Sequence, residues 1–203
     1  MTVEKGKDWG RIAPLADDGV VVHRDAEARQ AVEAAFLASL PLPSLGLVGG
    51  DLGRTLGCRG DEGRLRSPAG VTLPIDLGVV CMDGQDHCFL AHLVARRRWW
   101  GGTFLVAMNA AWYRDWYLGP RAHPNDGLLD ITRGRLPLRD RIQARSRLTS
   151  GSHLPHPGLH TERVERSSYE LDRPTPIFLD GEPVGKARHL ELRVVPDALE
   201  VVV

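Results

Sequence analysis

From Val71 to Val203 the chain is cut into short apolar runs, VTLPIDLGVVCM, HCFLAHLV, TFLVAMNAAW, GLLDITRGRL, RVERSSYEL, PIFLDGEPV, HLELRVV and ALEVVV, of which the last five are each bounded by Gly, Pro or Asp. Runs of this length and spacing predict strands of a sandwich or partly closed barrel. The 22 glycines and 14 prolines work in the same direction, because both residues favour turns over long helices. Asp83-Gly84 marks a two-residue hairpin turn that should pair Met82 with Gln85 and Cys81 with Asp86. Cys88 then lies diagonal to Cys81, about 7–8 Å away and near or beyond disulfide reach. RDRIQARSRL (139–148) is the one helix expected in this half.

The N-terminal part has a different texture. Val20-Val21-Val22 reads as a short strand after the turn signal Asp17-Asp18-Gly19. Asp25 precedes AEARQAVEAAFLASL, in which Ala28, Val32, Ala35, Phe36 and Leu40 recur at helical spacing until Pro41 and Pro43 stop the helix. Leu45 to Val48 is a second buried strand, so strand, helix and strand form a parallel βαβ unit. Gly49-Gly50-Asp51-Leu52-Gly53 opens a short helical stretch through Leu56, and the charged segment Arg59–Gly70 is expected to be a mobile loop. The fold class predicted is α/β plus β: a truncated α/β lobe over residues 1–76 followed by an antiparallel β-sandwich over 77–203. The last strands are expected to return toward the lobe.

Lys plus Arg and Asp plus Glu both number 26, so the net charge is zero and a nucleic-acid partner loses its usual electrostatic drive. No apolar run approaches the ~18–20 residues of a membrane span, and MTVEKGKDWGR lacks the apolar core of a signal peptide. Cys58, Cys81 and Cys88 match no C-x-x-C spacing and are read as free thiols in a reducing cytoplasm. A lobe that starts at Val20–Val22 leaves a sheet edge to be covered, either by a homodimer or by the chain's own N-terminus. A Walker A loop and a G-x-S-x-G elbow are both missing from the sequence.

Three segments carry a family pattern: FLVAMNAAWYRDWYLGPRAHPNDGLLDI (104–131), TSGSHLPHPGLH (149–160) and PIFLDGEPVGKARHLELRVVPDALEVVV (176–203). Together they resemble the C-terminal β-sandwich of the diacylglycerol kinase-like lipid kinases, the group that includes sphingosine kinases. Upstream, SLGLVGGDLGRTLG and LPIDLGVV (44–80) are similar to a second stretch of that family. The resemblance implies ATP and Mg²⁺ as cofactors and a lipid or lipid-like small molecule as acceptor, with peripheral membrane contact. The departures from the pattern lie in the nucleotide loops. Where the family has Gly-Gly-Asp-Gly-Thr, this chain has Val22-His23-Arg24-Asp25-Ala26-Glu27, which keeps only the aspartate. Glycines let backbone N–H groups approach phosphate with dihedrals that a Cβ resists. The second loop has lost its Thr-Gly-Asn, and between strands CFLAHLVARRRWWGGTF is much shorter than the family's corresponding insertion.

The resemblance places Asp25 as a catalytic aspartate and Glu182 as a catalytic carboxylate beside Asp180. It makes Asp126 and Asp180 candidate Mg²⁺ ligands, with Asp126 joined by a nearby backbone carbonyl. Each has a plainer reading from the residues alone. Asp25 also suits a helix N-cap, Asp126 a turn ahead of Gly127, and Asp180-Gly181 a hairpin turn. Gly49, Gly50, Gly53 and Arg54 are the best remaining nucleotide-phosphate cradle, although Asp51 opposes an anion there. Arg96, Arg97, Arg98, Trp99 and Trp100 have the composition of a head-group or ligand surface, and equally of a solvated basic turn. His153, His156 and His160 are spaced by prolines that prevent a helix from grouping them, so loop histidines are the plainer reading. Two functional expectations follow: a divergent lipid kinase with an impaired centre, or a non-catalytic protein that holds a lipid, metabolite or partner on the same fold.

Overall fold

The computed structural model describes residues 9–98, 101–137 and 158–203. In chain order the elements are β1 (Arg11–Ile12), β2 (Val20–Val22), α1 (Asp25–Leu37), β3 (Leu45–Leu47), α2 (Gly50–Leu56), α3 (Glu62–Leu65), β4 (Val71–Met82), β5 (Gln85–Phe89), β6 (His92–Arg98), β7 (Gly101–Met108), β8 (Leu129–Arg135), β9 (Leu159–Val164), β10 (Arg166–Leu179) and β11 (Glu182–Val202). The strands form one sheet in the order β1-β4-β11-β10-β6-β7-β8-β9, with β2 and β3 added beside β11 and β5 beside β4.

The βαβ unit forms as the sequence predicts. Val20, Val21 and Val22 pair in parallel with Leu45, Gly46 and Leu47, and α1 connects the two strands. The helix buries Ala28 and Val32 against them and ends at Leu37, three residues before Leu40. Ser39 there takes a left-handed φ of 54°. Apart from the pairing of β3 with β11, the rest is antiparallel, as the alternating runs require. Asp83-Gly84 and Asp180-Gly181 are both two-residue turns with positive φ at each position, which Asp and Gly tolerate best. Met82 pairs with Gln85 and Cys81 with Asp86, and all three cysteines are free.

Two apolar clusters share the same strands. On β4, Leu73, Ile75 and Leu77 face the helices of the lobe, whereas Val80 and Met82 face the sandwich interior. On β11, Leu199 and Val201 belong to the lobe cluster and Leu190 and Leu192 to the sandwich cluster. The change of side rests on period-2 alternation combined with a bulge on β11 between Val195 and Leu199. Gly78 marks the crossing point on β4: a Cβ there would lie 2.4 Å from the Phe89 ring, so the aromatic packs directly onto backbone. The C-terminal strand does return to the lobe, where Val201 and Val202 pair in parallel with Leu45 and Gly46.

Three differences from the sequence reading have physical causes. HCFLAHLV is two strands, because the N–H groups of Leu90, Ala91 and His92 leave the ladder to bond the Asp180 carboxylate. Arg59–Gly70 holds the short helix α3 with Leu65 fully buried, and Arg66 clamps the carbonyls of Ala16 and Gly19. The last five runs merge into fewer, longer strands, since bulges accommodate the polar interruptions without ending the ladders. The expected helix at 139–148 lies outside the described residues. No helix among the described residues is long and apolar enough to cross a membrane.

Candidate functional site

The N-termini of α1 and α2, the start of β6 and the β10–β11 turn converge on one polar junction. Asp25 is the first residue of α1 but does not cap it: Arg24 stands at the N-cap, and no side chain bonds there. The N-cap expectation is thus corrected. The Asp25 carboxylate reaches across to the neighbouring helix and accepts the N–H groups of Asp51 (2.6 Å) and Leu52 (3.0 Å). Gly50 sits at φ +85°, where a Cβ would fall 2.5 Å from Asp25 Oδ1. A Cβ on Gly49 would fall 2.7 Å from the carbonyl oxygen of His23. Both glycines therefore permit the close approach of α2 to α1. Gly53 is buried within α2, its missing Cβ facing Cys58.

Asp51 lies at the centre. Its Oδ1 accepts the N–H of Arg114 (2.8 Å), and its Oδ2 lies 2.9 Å from His92 Nε2, which must be the donor since a carboxylate offers no proton. His92 is only 2% exposed, its Nδ1 has no hydrogen-bond partner among the described residues, and its ring meets Tyr113 edge-on at 4.7 Å. Asp180 accepts three backbone N–H groups, from Leu90, Ala91 and His92, at 2.8–3.0 Å.

Three carboxylates, Asp51 among them still 16% exposed, thus surround one buried imidazole. Burial, followed by the negative charge of Asp180, pushes Asp25 up to about 6. Burial also raises Asp180, against the opposing charge of His92 and the three amides. For His92 burial acts downward, but the Asp51 hydrogen bond and the charges of Asp180, Asp51 and Asp25 outweigh it, and its pKa is raised. Asp51 moves the other way: burial works against it, yet the His92 and Arg114 contacts hold it below the ordinary carboxylate value. Ligand-type atoms of Asp25, Asp51 and His92 lie within 4.8 Å of one another. Each is already engaged inside the junction.

Glu182 lies on the outer side, 39% exposed, and bonds to α1 through Gln30 Nε2 (3.1 Å) and Arg29 Nη2 (3.4 Å). Arg29 also donates to Glu33 (2.7 Å), whose second oxygen is 3.1 Å from His87 Nδ1. Arg54 lies over the Trp112 ring at 3.4 Å and donates to the Arg114 carbonyl. The structure thus brings Asp25, Gly49, Gly50, Gly53, Arg54, Asp180 and Glu182 to a single region.

The other candidates lie elsewhere. Asp126 sits in the turn before β8, bonded to the Leu128 N–H and ion-paired with Arg163; among the described residues it has no contact with Asp180. Arg96, Arg97 and Arg98 occupy the far end of β6, where Arg98 is about 20 Å along the strand from His92 at ~3.3 Å per residue. Arg96 lies over Phe178. Trp99, Trp100, His153 and His156 fall outside the described residues, and His160 is an exposed residue of β9. Sequence reasoning passed over His92, Arg29 and Asp76. The available signal was a lone polar residue in an apolar run, as with His92 in FLAHLVA and Asp76 in LPIDLGVV.

A lobe of parallel strands and helices is thus fused through shared strands to an antiparallel sandwich, with an acidic junction between them. Residues 79–203 match the family model described as the YegS C-terminal NAD kinase beta sandwich-like domain, and the chain belongs to that family. Among solved structures, one named as a diacylglycerol kinase from Bacillus anthracis str. Sterne matches with a TM-score of 0.66 at 14% identity, over 91% of this chain and 77% of that one. A further structure of a diacylglycerol kinase from the same organism gives a TM-score of 0.55 at 13% identity, over 91% and 75%. At these identities the likeness is one of fold. No curated protein sequence matches the chain.

Proposed function

We propose that this chain is a non-phosphorylating member of the lipid-kinase family, which holds an amphiphilic ligand and does not transfer phosphate to it. The observation that carries the reading is the Asp25 carboxylate on the amides of α2. Those amides are the donors a nucleotide phosphate would need, and they are spent on an anion that the protein supplies itself. A phosphate at this place would meet Asp25, Asp51 and Glu27, while the nearest cations are committed: Arg24 to Glu27, and Arg54 to Trp112 and the Arg114 carbonyl. The residues present do not fit ATP. Phosphoryl transfer depends on positioning and electrostatic stabilisation, which a filled cradle does not supply.

A cavity of about 630 Å³ in the sandwich supports the ligand-holding part of the reading. Its lining joins apolar Ala95, Phe104 and Leu105 to polar Arg133, Tyr169 and Glu170, a mixture suited to an amphiphile. The test is calorimetric titration of the folded chain with Mg-ATP and, separately, with a lysophospholipid below its micelle concentration. Heat with the lipid and none with millimolar Mg-ATP is expected. Micromolar Mg-ATP binding that Asp25→Ala and Arg54→Ala both weaken would overturn the reading.

A further inference from the structure

The turn ahead of β8 gathers three carboxylates. Asp126 is in the turn, Asp130 is on β8, and Asp76 reaches in from β4 to accept the N–H groups of Gly127 (2.7 Å) and Asp197 (3.0 Å). Asp76 and Asp130 are buried, and burial raises the pKa of both. Such a group calls for a cation. The resemblance noted above implies Mg²⁺ at Asp126, a hard ion that takes oxygen ligands at about 2.1 Å and keeps several waters.

The donor set does not fit that ion. Asp126 Oδ1 accepts the Leu128 N–H at 3.0 Å, and Oδ2 is ion-paired with Arg163 Nη2. The same guanidinium places its Nε 3.3 Å from Asp130 Oδ1, within ion-pair distance although neither Asp130 oxygen has a hydrogen-bond partner among the described residues, so one guanidinium stands against two carboxylates. Arg121 adds a longer contact to Asp130 at 3.6 Å. Arg163 is held there by register, since it faces Asp130 across the β8–β9 ladder. A divalent ion on Asp126 would have to displace this guanidinium or sit beside its charge.

We propose that Arg163 is the built-in cation of the 124–130 turn and that this turn takes no divalent ion while Arg163 is present. The inference does not depend on whether the chain binds nucleotide. Its test is the number of Mn²⁺ ions bound per folded chain, counted by loss of the free-ion EPR signal. Wild type and Asp126→Asn are expected to bind the same number. Arg163→Met is expected to gain one ion, which Arg163→Met/Asp126→Asn loses again, whereas Arg163→Lys gains none. An ion in wild type that Asp126→Asn removes would overturn the proposal, as would a folded Arg163→Met that gains nothing. The comparison of wild type with Asp126→Asn decides the matter even if Arg163→Met does not fold.

Discussion

Asp25 shows how one side chain changes meaning when its neighbours are known. Its folded pKa of about 6 stands above the ordinary 3.8, so the folded chain binds this proton more tightly than the unfolded one. The stabilisation is full below pH 3.8 and is lost as pH rises through about 6. Asp180 and His92, both raised, carry the same sign, whereas the lowered Asp51 contributes stability that is lost toward acid. Stability measured by urea unfolding is therefore expected to fall between pH 4 and 7. Asp25→Asn should flatten that fall by at most roughly 3 kcal/mol, the value of about two pKa units. An unchanged slope in the variant would show that Asp25 is ionised throughout. The sequence singles out Asp25, but its partner was not legible there. A carboxylate in a loop looks the same whether it caps its own helix or the next one, and only the approach of α2, permitted by Gly50, decides between the two.

Element by element, the sequence was most legible where periodicity is local. The βαβ unit, both Asp-Gly hairpins and the register at Met82–Gln85 follow from neighbours within a few residues. It was least legible where a distant group intervenes, as in the break between β5 and β6, which is made by Asp180 about 90 positions away. Helix α1 is a further example. It is fixed to the sandwich by Arg29, whose side chain is 8% exposed and bridges Glu33 to Glu182. Arg29→Met keeps the volume but leaves Glu33 half-buried with His87 as its remaining side-chain partner among the described residues. The expected loss is about 2–3 kcal/mol in chemical denaturation, below the 3–5 of fully buried pairs because Glu182 is partly solvated. Glu182→Gln should cost under about 1 kcal/mol. Equal losses in the two variants would show that Arg29 acts through Glu182 alone.

At the scale of the whole molecule, the open question is the edge at β2. Among the described residues β2 pairs only with β3, and the N-terminal strand β1 goes to β4 on the other side of the sheet. Val20 is 39% exposed there. Pairing of two copies through this edge predicts a light-scattering mass of twice 22.4 kDa. A mass of 22.4 kDa would mean that a strand of three residues is short enough to stand uncovered.

β11 carries residues of both large apolar clusters. It pairs with β10, β4 and β3, and it supplies Leu199 and Val201 to one apolar cluster and Ala187, Leu190 and Leu192 to the other. Every strand it joins lies earlier in the chain, so neither cluster can close while residues 187–202 are still inside the ribosome. Until then the nascent chain exposes two half-built cores, at a synthesis rate of roughly 5–20 residues per second. The order of manufacture thus ties the closing of both cores to the emergence of one strand.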